Sequence, residues 1–355
     1  MEKHAIGERI EMARRAAGLS QRALAEAAGL SAMAISKYER GLIVPSSDAL
    51  IRLARALDVR VEYFLRPVSV KLTAPSYRKR TSLPRKQENI ILGQIQDWLE
   101  RYVEVESLFG EPAQFEYPHG FVREVTVFEE VEEAAEDLRR AWSLGQDPIE
   151  SMVEILEDRG VRVGMVQGHA GFDALTLWMD ELGPVIVVKR SVPGDRQRFN
   201  LAHELGHLLL EFIDIDAEKA ANRFAGALLV PAHLARYELG ERRSELSVYE
   251  LHLLKHKYGL SMQAWIYRAK DLGIISESTA RGLFHKFRKN GWHLEEPGDQ
   301  IAAEEPGRMK RLVMRALAED LISPSRAAEL LGIPLQEFMQ RESQHHGGLA
   351  LSLRG

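Results

Sequence analysis

The chain has 355 residues, of which 45 % are hydrophobic and 28 % charged, with a formal net charge of −5. That length predicts two or three domains with sizeable cores, and the near-neutral balance excludes a chain-wide nucleic-acid surface, so any DNA contact must be local. There is no cysteine, which excludes a disulfide scaffold and thiolate metal sites; a metal must be held by His, Asp or Glu.

The first fifteen residues carry charges throughout, unlike a secretory signal, and no apolar run reaches the roughly 18–20 residues a membrane span needs. The chain is expected to be cytoplasmic. Its organisation reads as four blocks: 1–66, a compact helical module; 67–126, a basic linker and helical arm; 127–235, a mixed α/β unit; and 236–355, a helical region. The fold class expected is mainly α with a small mixed β-sheet.

In the first block Ser20 is placed to cap a helix whose apolar face is Ala23, Leu24 and Ala27. Gly29 breaks that helix, and Ser31 can cap a second one carrying Ile35 and Tyr38. Two short helices around a Gly-containing turn are a helix-turn-helix pattern. Gly41 and Pro45 close it, and helical stretches Ser47–Leu57 and Val61–Leu65 follow. Leu19-Ser20-Gln21, Leu24-Ala25, Gly29, Ile35-Ser36, Tyr38-Glu39-Arg40-Gly41, Pro45 and Tyr63-Phe64-Leu65 together resemble the phage-repressor-like, or XRE, helix-turn-helix family. The resemblance implies double-stranded DNA as partner. The second helix of the motif would lie in the major groove, with Ala32, Met33, Ser36 and Lys37 toward base edges and Gln21 and Arg22 near phosphates. The competing reading is a protein-interaction module without DNA contact.

Pro67, Pro75 and Pro84 punctuate a basic stretch, Tyr77-Arg78-Lys79-Arg80 and Arg85-Lys86, which reads as a linker or arm able to add phosphate affinity. Residues 88–106 read as one helix. The acidic run Glu129 to Asp137 reads as a solvated helix face. Glu150–Asp158 is expected to be helical, and three strands follow: Val161–Val166, Ala174–Met179 and Pro184–Val188, the last two around a turn at Asp180–Gly183. Helices at about 198–212 and 217–230 complete the unit, with Pro231 ending the second. Residues 247–340 are almost wholly helical in pattern.

The segment Phe199-Asn-Leu-Ala-His203-Glu204-Leu-Gly-His207 carries the chemistry. His203 and His207 are four apart, so a helix puts both imidazoles on one face, within reach of one ion. Neutral imidazole is a natural zinc ligand. Glu204 follows the first ligand directly, where its carboxylate can serve as general base toward water at the metal. Ala202, Leu205 and Leu208–Leu210 make the rest of the helix apolar, and buried polar groups in such a helix need partners. Gly206 suits tight packing on a neighbouring helix. A catalytic zinc takes three protein ligands. Glu218 is the choice for the third, with Asp214, Asp216 and Glu211 as rivals. Asn222, one turn beyond Glu218, can support a ligand by hydrogen bonding. The donor for a developing oxyanion is not legible; Tyr237, His233 and His252 are candidates by position only. Strand Ala174–Met179 can pair with an extended peptide substrate.

Arg198-Phe199…Ala202-His-Glu-Leu-Gly-His207, then Glu218…Ala221-Asn222-Arg223-Phe224-Ala225…Leu228-Leu229-Val230-Pro231, resembles the ImmA/IrrE family of metallopeptidases. The resemblance implies an HExxH zinc endopeptidase that cleaves helix-turn-helix repressors in stress or mobile-element responses, with Glu218 as downstream ligand. Fused members also carry an N-terminal helix-turn-helix. One departure is Ala220, where family members often have a further acid. A reading from a different class is a non-catalytic, metal- or ligand-sensing repressor of antitoxin-like type. Glu204 discriminates the two, since sensing requires only the ligands. A homodimer is expected if the DNA site is two-fold symmetric.

Overall fold

The fold is described from a computed structural model, over residues 2–66, 68, 70, 72, 84–110, 114–115, 117–118, 121, 124–168, 171–179 and 182–352. The basic stretch Tyr77–Arg80 and the turn residues Asp180 and Glu181 lie outside the described residues. Helix α1 spans Glu2–Ala16, α2 Gln21–Ala28, α3 Ala32–Glu39 and α4 Ser47–Leu57, followed by a 3-10 turn, Val61–Leu65. The Ser20 and Ser31 hydroxyls accept hydrogen bonds from the Ala23 and Ala34 N–H groups at 3.1 Å, capping α2 and α3 as their sequence predicts. Between them Gly29 adopts φ 62°, the left-handed conformation that suits glycine.

Helix α5 runs Arg85–Ser107, a little longer than its apolar pattern predicts. Then come β1 Glu124–Val125, α6 Phe128–Ala141, α7 Met152–Asp158, β2 Arg162–Val166, β3 Ala174–Met179, β4 Gly183–Lys189, α8 Gly194–Leu209, β5 Glu211–Phe212 and α9 Ala217–Leu229. The helix expected over 198–212 starts earlier and stops at Leu209. Leu210 is extended, and Glu211–Phe212 pair in parallel with β1. Helices α10 Ala232–Leu239, α11 Val248–Tyr258, α12 Met262–Asp271 and α13 Glu277–Lys289 precede an irregular stretch, which α14 Arg308–Ala318, α15 Pro324–Leu331 and α16 Leu335–Ser352 follow. The protein is mainly helical with small mixed sheets. Among the described residues no helix is long and apolar enough to cross a membrane.

The chain forms two compact units. One comprises Met1–Pro112, His169–Phe172 and Gly307–Gly355, the other Ala113–Gly168 and Asp173–Pro306. In the first, Ile10, Leu24, Ile35, Leu53 and Phe64 are the heart of the helix-turn-helix core. A second core joins Tyr102 and Val105 of α5 to Val313, Ala327, Ala328 and Phe338 of α14–α16. Arg9 of α1 and Glu100 of α5 form a buried ion pair.

In the second unit, three strands make a mixed sheet in the order β2-β4-β3, with β2 parallel and β3 antiparallel to β4. Helix α8 lies against β3 and β4, and α9 packs on α8 and α6. Gly206 allows that approach, since a Cβ there would meet Phe224 Cδ1 at 2.8 Å. The irregular stretch before α14 braces the start of α8. The Gly194 N–H donates to the Ile301 carbonyl at 2.8 Å, and Gln197 exchanges two hydrogen bonds with the Glu304 backbone.

Candidate metal centre

Helix α8 carries His203, Glu204 and His207, and the short β5 connection returns the chain so that α9 starts beside them. The two imidazole rings stand 4.7 Å apart, centroid to centroid, as the four-residue spacing requires. His207 is buried against Phe212, whose ring meets it edge-on at 5.4 Å. From the first turn of α9, Glu218 turns back to both: its Oε2 is 3.5 Å from His203 Nε2 and its Oε1 is 3.5 Å from His207 Nε2. Its side chain is 60 % exposed, so this cleft is open to solvent on the α9 side.

Two nitrogen donors and one carboxylate, all within 4.8 Å of one another, fit a divalent transition metal. Of the rivals for the third position, Asp216 is the N-cap of α9, accepting from the Lys219 N–H at 3.1 Å. That bond holds its carboxyl below the usual carboxylate range. Asp214 sits in the turn at φ 56°, and Glu211 points out from β5. Ala220 is wholly buried and faces the core, so the acid at 218, rather than position 220, meets the imidazoles.

Asn222 lies one turn along α9 from Glu218, and its Oδ1 is 2.9 Å from His203 Nδ1. An amide oxygen only accepts, so this contact calls for a proton on Nδ1, and a neutral imidazole then has its lone pair on Nε2, the nitrogen nearer Glu218. Glu204 turns the other way, toward the sheet, where the Thr176 hydroxyl donates to its Oε2 at 2.6 Å. Thr176 is absent from the sequence reading. Its only signal there is the strand pattern of 174–179, which does not say which helix that strand meets. Farther back, the Glu132 carboxylate of α6 receives both terminal nitrogens of Arg268, at 2.5 and 2.7 Å, and also pairs with Arg223. Burial pushes this carboxyl up, but the hydrogen bonds and charges of Arg268 and Arg223 outweigh it, leaving it below its ordinary value. The acidic run of α6 is therefore not only a solvated face. Through Arg223 it anchors the helix that holds Glu218 and Asn222. Tyr237 and His233 are exposed on α10, and His252 packs beside His256 on α11.

Residues 10–64 match a helix-turn-helix family model, and residues 156–270 match the model of the IrrE N-terminal-like domain. The chain joins these two domains. The IrrE N-terminal-like domain contains the whole His203, His207 and Glu218 constellation, together with Thr176 and Asn222. Two Mycobacterium tuberculosis proteins, from strains CDC 1551 and H37Rv, each described as an uncharacterized HTH-type transcriptional regulator, are 34 % identical over 92 residues. The aligned region is 24 % of this chain and 66 % of theirs, so the chain spans just under two thirds of the length of those relatives. Among solved structures, apo ComR from S. thermophilus matches at 13 % identity and TM-score 0.17, covering 98 % of this chain and 99 % of that one. ComR from S. thermophilus with DNA and its signalling peptide matches at 13 % identity and TM-score 0.19, covering 92 % and 99 %. At such TM-scores these likenesses carry no structural argument.

In the helix-turn-helix domain, Met33 is 68 % exposed and Arg22 and Lys37 are exposed, while Ala32 and Ser36 are half-buried. The Gln21 amide donates to Glu39 Oε2 at 2.7 Å, and Glu39 also takes two bonds from Arg14. The start of α2 is thereby locked to the end of α3.

Proposed function

We propose that this chain is a DNA-binding transcriptional regulator whose central domain is a zinc-dependent endopeptidase acting on a repressor-type protein, in a stress or mobile-element response. The observation that carries the reading is the convergence of His203, His207 and Glu218 on one point, with Glu204, the residue directly after His203 on α8, hydrogen-bonded to Thr176 of β3. A sensor needs the three ligands; it has no use for a fixed carboxylate that is not one of them.

In this reading His203, His207 and Glu218 hold Zn2+, which supplies Lewis acidity toward a peptide carbonyl and a nearby water. Glu204 is the general base: as the water oxygen bonds to the carbonyl carbon, Glu204 takes the water's proton, and it returns that proton to the departing amine nitrogen as the C–N bond breaks. Thr176 fixes the rotation of the carboxylate by its bond to Oε2. Asn222 fixes the ring and tautomer of His203. Strand β3, paired on one side only among the described residues, offers an edge on which an extended substrate can add as a further strand. The helix-turn-helix domain supports double-stranded DNA as the other partner, through α3 in the major groove.

The test is to incubate the zinc-loaded full chain with helix-turn-helix repressors of its own genome and follow their cleavage, with Glu204→Gln as control. Cleavage by the wild type alone is the expected result. Stoichiometric zinc with no cleavage by either protein would replace this reading with the metal-sensing repressor.

A further inference from the structure

Three aromatic rings cluster at β3, near the end of α8, and take no part in the chemistry above. Along β3, Ala174, Thr176 and Trp178 share one face, because successive strand residues alternate. Their partners on β4 are Val188, Ile186 and Pro184. Ile186 and Val188 belong to the core that holds α8, and Thr176 reaches Glu204, so this is the helix-facing side of the strand. Trp178 nevertheless remains 39 % exposed. Tyr117 stacks on it with centroids 6.2 Å apart and planes at 25°, and Phe115 meets both rings edge-on, at 5.3 Å from Tyr117 and 6.2 Å from Trp178. The Tyr117 hydroxyl lies 3.5 Å from the carbonyl oxygen of Leu208, next in sequence to His207. The wall is therefore fastened to the end of α8 that carries the imidazoles.

An extended peptide added to the β3 edge presents alternate side chains to this same face. The side chain level with Thr176 lies near Glu204, and the one two residues along, about 6.6–6.8 Å away, falls on Trp178. We propose that Phe115, Tyr117 and Trp178 form a side-chain subsite that selects substrates with a bulky apolar residue, aromatic above all, at that position near the scissile bond. This deepens the peptidase reading and rests on it for the cleavage step, whereas recognition needs only the strand edge and the rings. The three rings bring no counter-charge, so an acidic side chain there loses hydration without gaining a partner. An aromatic one gains apolar burial and ring stacking against the exposed face of Trp178.

The experiment uses the full-length Glu204→Gln protein and fluorescein-labelled decapeptide pools of Ser, Thr and Gly that carry one Phe, Ala, Asp or Arg at a randomised central position, read by anisotropy. The Phe pool is expected to bind about tenfold more tightly than the Ala pool, the gain of burying one large apolar side chain, and the Asp pool most weakly. Adding Trp178→Ala should bring the Phe and Ala pools within about twofold of each other, and Trp178→Phe should keep most of the preference, which separates a lost ring from a lost fold. Equal binding of Phe and Ala pools, tightest binding of the Arg pool, or a preference untouched by Trp178→Ala overturns the subsite. Wild-type protein on the same pools separates the two readings: preferential binding with no cleavage of any pool leaves the subsite and removes the peptidase, and cleavage without preference does the reverse.

Discussion

Asn222 and His203 meet across two helices, with the amide oxygen of one 2.9 Å from Nδ1 of the other. In a neutral imidazole the contact puts the proton on Nδ1 and leaves Nε2 toward Glu218. Replacing Asn222 with Ala is expected to weaken zinc binding by about 10–100-fold, the range for losing such a supporting bond. Competition against a chromophoric chelator measures it, and wild-type affinity in Asn222→Ala would remove Asn222 from the site.

The wild-type chain should hold about one zinc under zinc-replete conditions. His203→Ala and His207→Ala should each lose it, and Glu218→Gln should weaken it by turning a charged ligand into a neutral amide. Elemental analysis after gel filtration is the measurement. Full retention in both His variants would place the metal elsewhere.

Glu204→Gln should keep zinc and thermal stability while losing proteolysis by at least about 10²-fold, the lower end for a general base. DNA binding should be unaffected, since the helix-turn-helix has a core of its own. A variant that cuts as fast as the wild type would show that Glu204 is not the base.

Glu132→Gln leaves Arg268 and Arg223 facing a neutral amide in a buried place, which is expected to cost about 3–5 kcal/mol in urea unfolding. The Glu132 carboxyl has a depressed pKa in the fold. Its contribution is therefore fully present above the ordinary value of 4.5 and lost as pH falls through the depressed one. The difference between wild type and variant should be constant from neutral pH to about 4.5 and shrink in more acid solution. A difference that grew on acidification would contradict the assignment.

For DNA, affinity should fall as salt rises, and Lys37→Ala should weaken binding at every salt concentration. Gel-shift titrations of the full chain over a salt series measure both. Binding that ignores salt would favour the protein-interaction reading of this module.

The parts legible in the sequence are those set by local geometry. Ser20 and Ser31 cap their helices because a cap acts over three residues, and Gly29 stands where the backbone must turn left-handed. His203 and His207 share a face because a helix repeats every 3.6 residues, so their spacing alone set the two rings side by side. The pairing of Glu218 with those rings was one choice among four acids, and only the fold shows Asp216 spent on a cap and Glu218 turned back to the two imidazoles. Thr176 and Glu204 are 28 residues apart, and Glu132 and Arg268 are 136 apart. No periodicity links such pairs, because long-range contacts follow from how helices and sheet pack and not from the order of residues. Packing likewise decided that α11–α13 share the core of the metal-site unit while α14–α16 bury their apolar faces against α5. Two amphipathic helical runs look alike as sequence until each meets the surface that fits it.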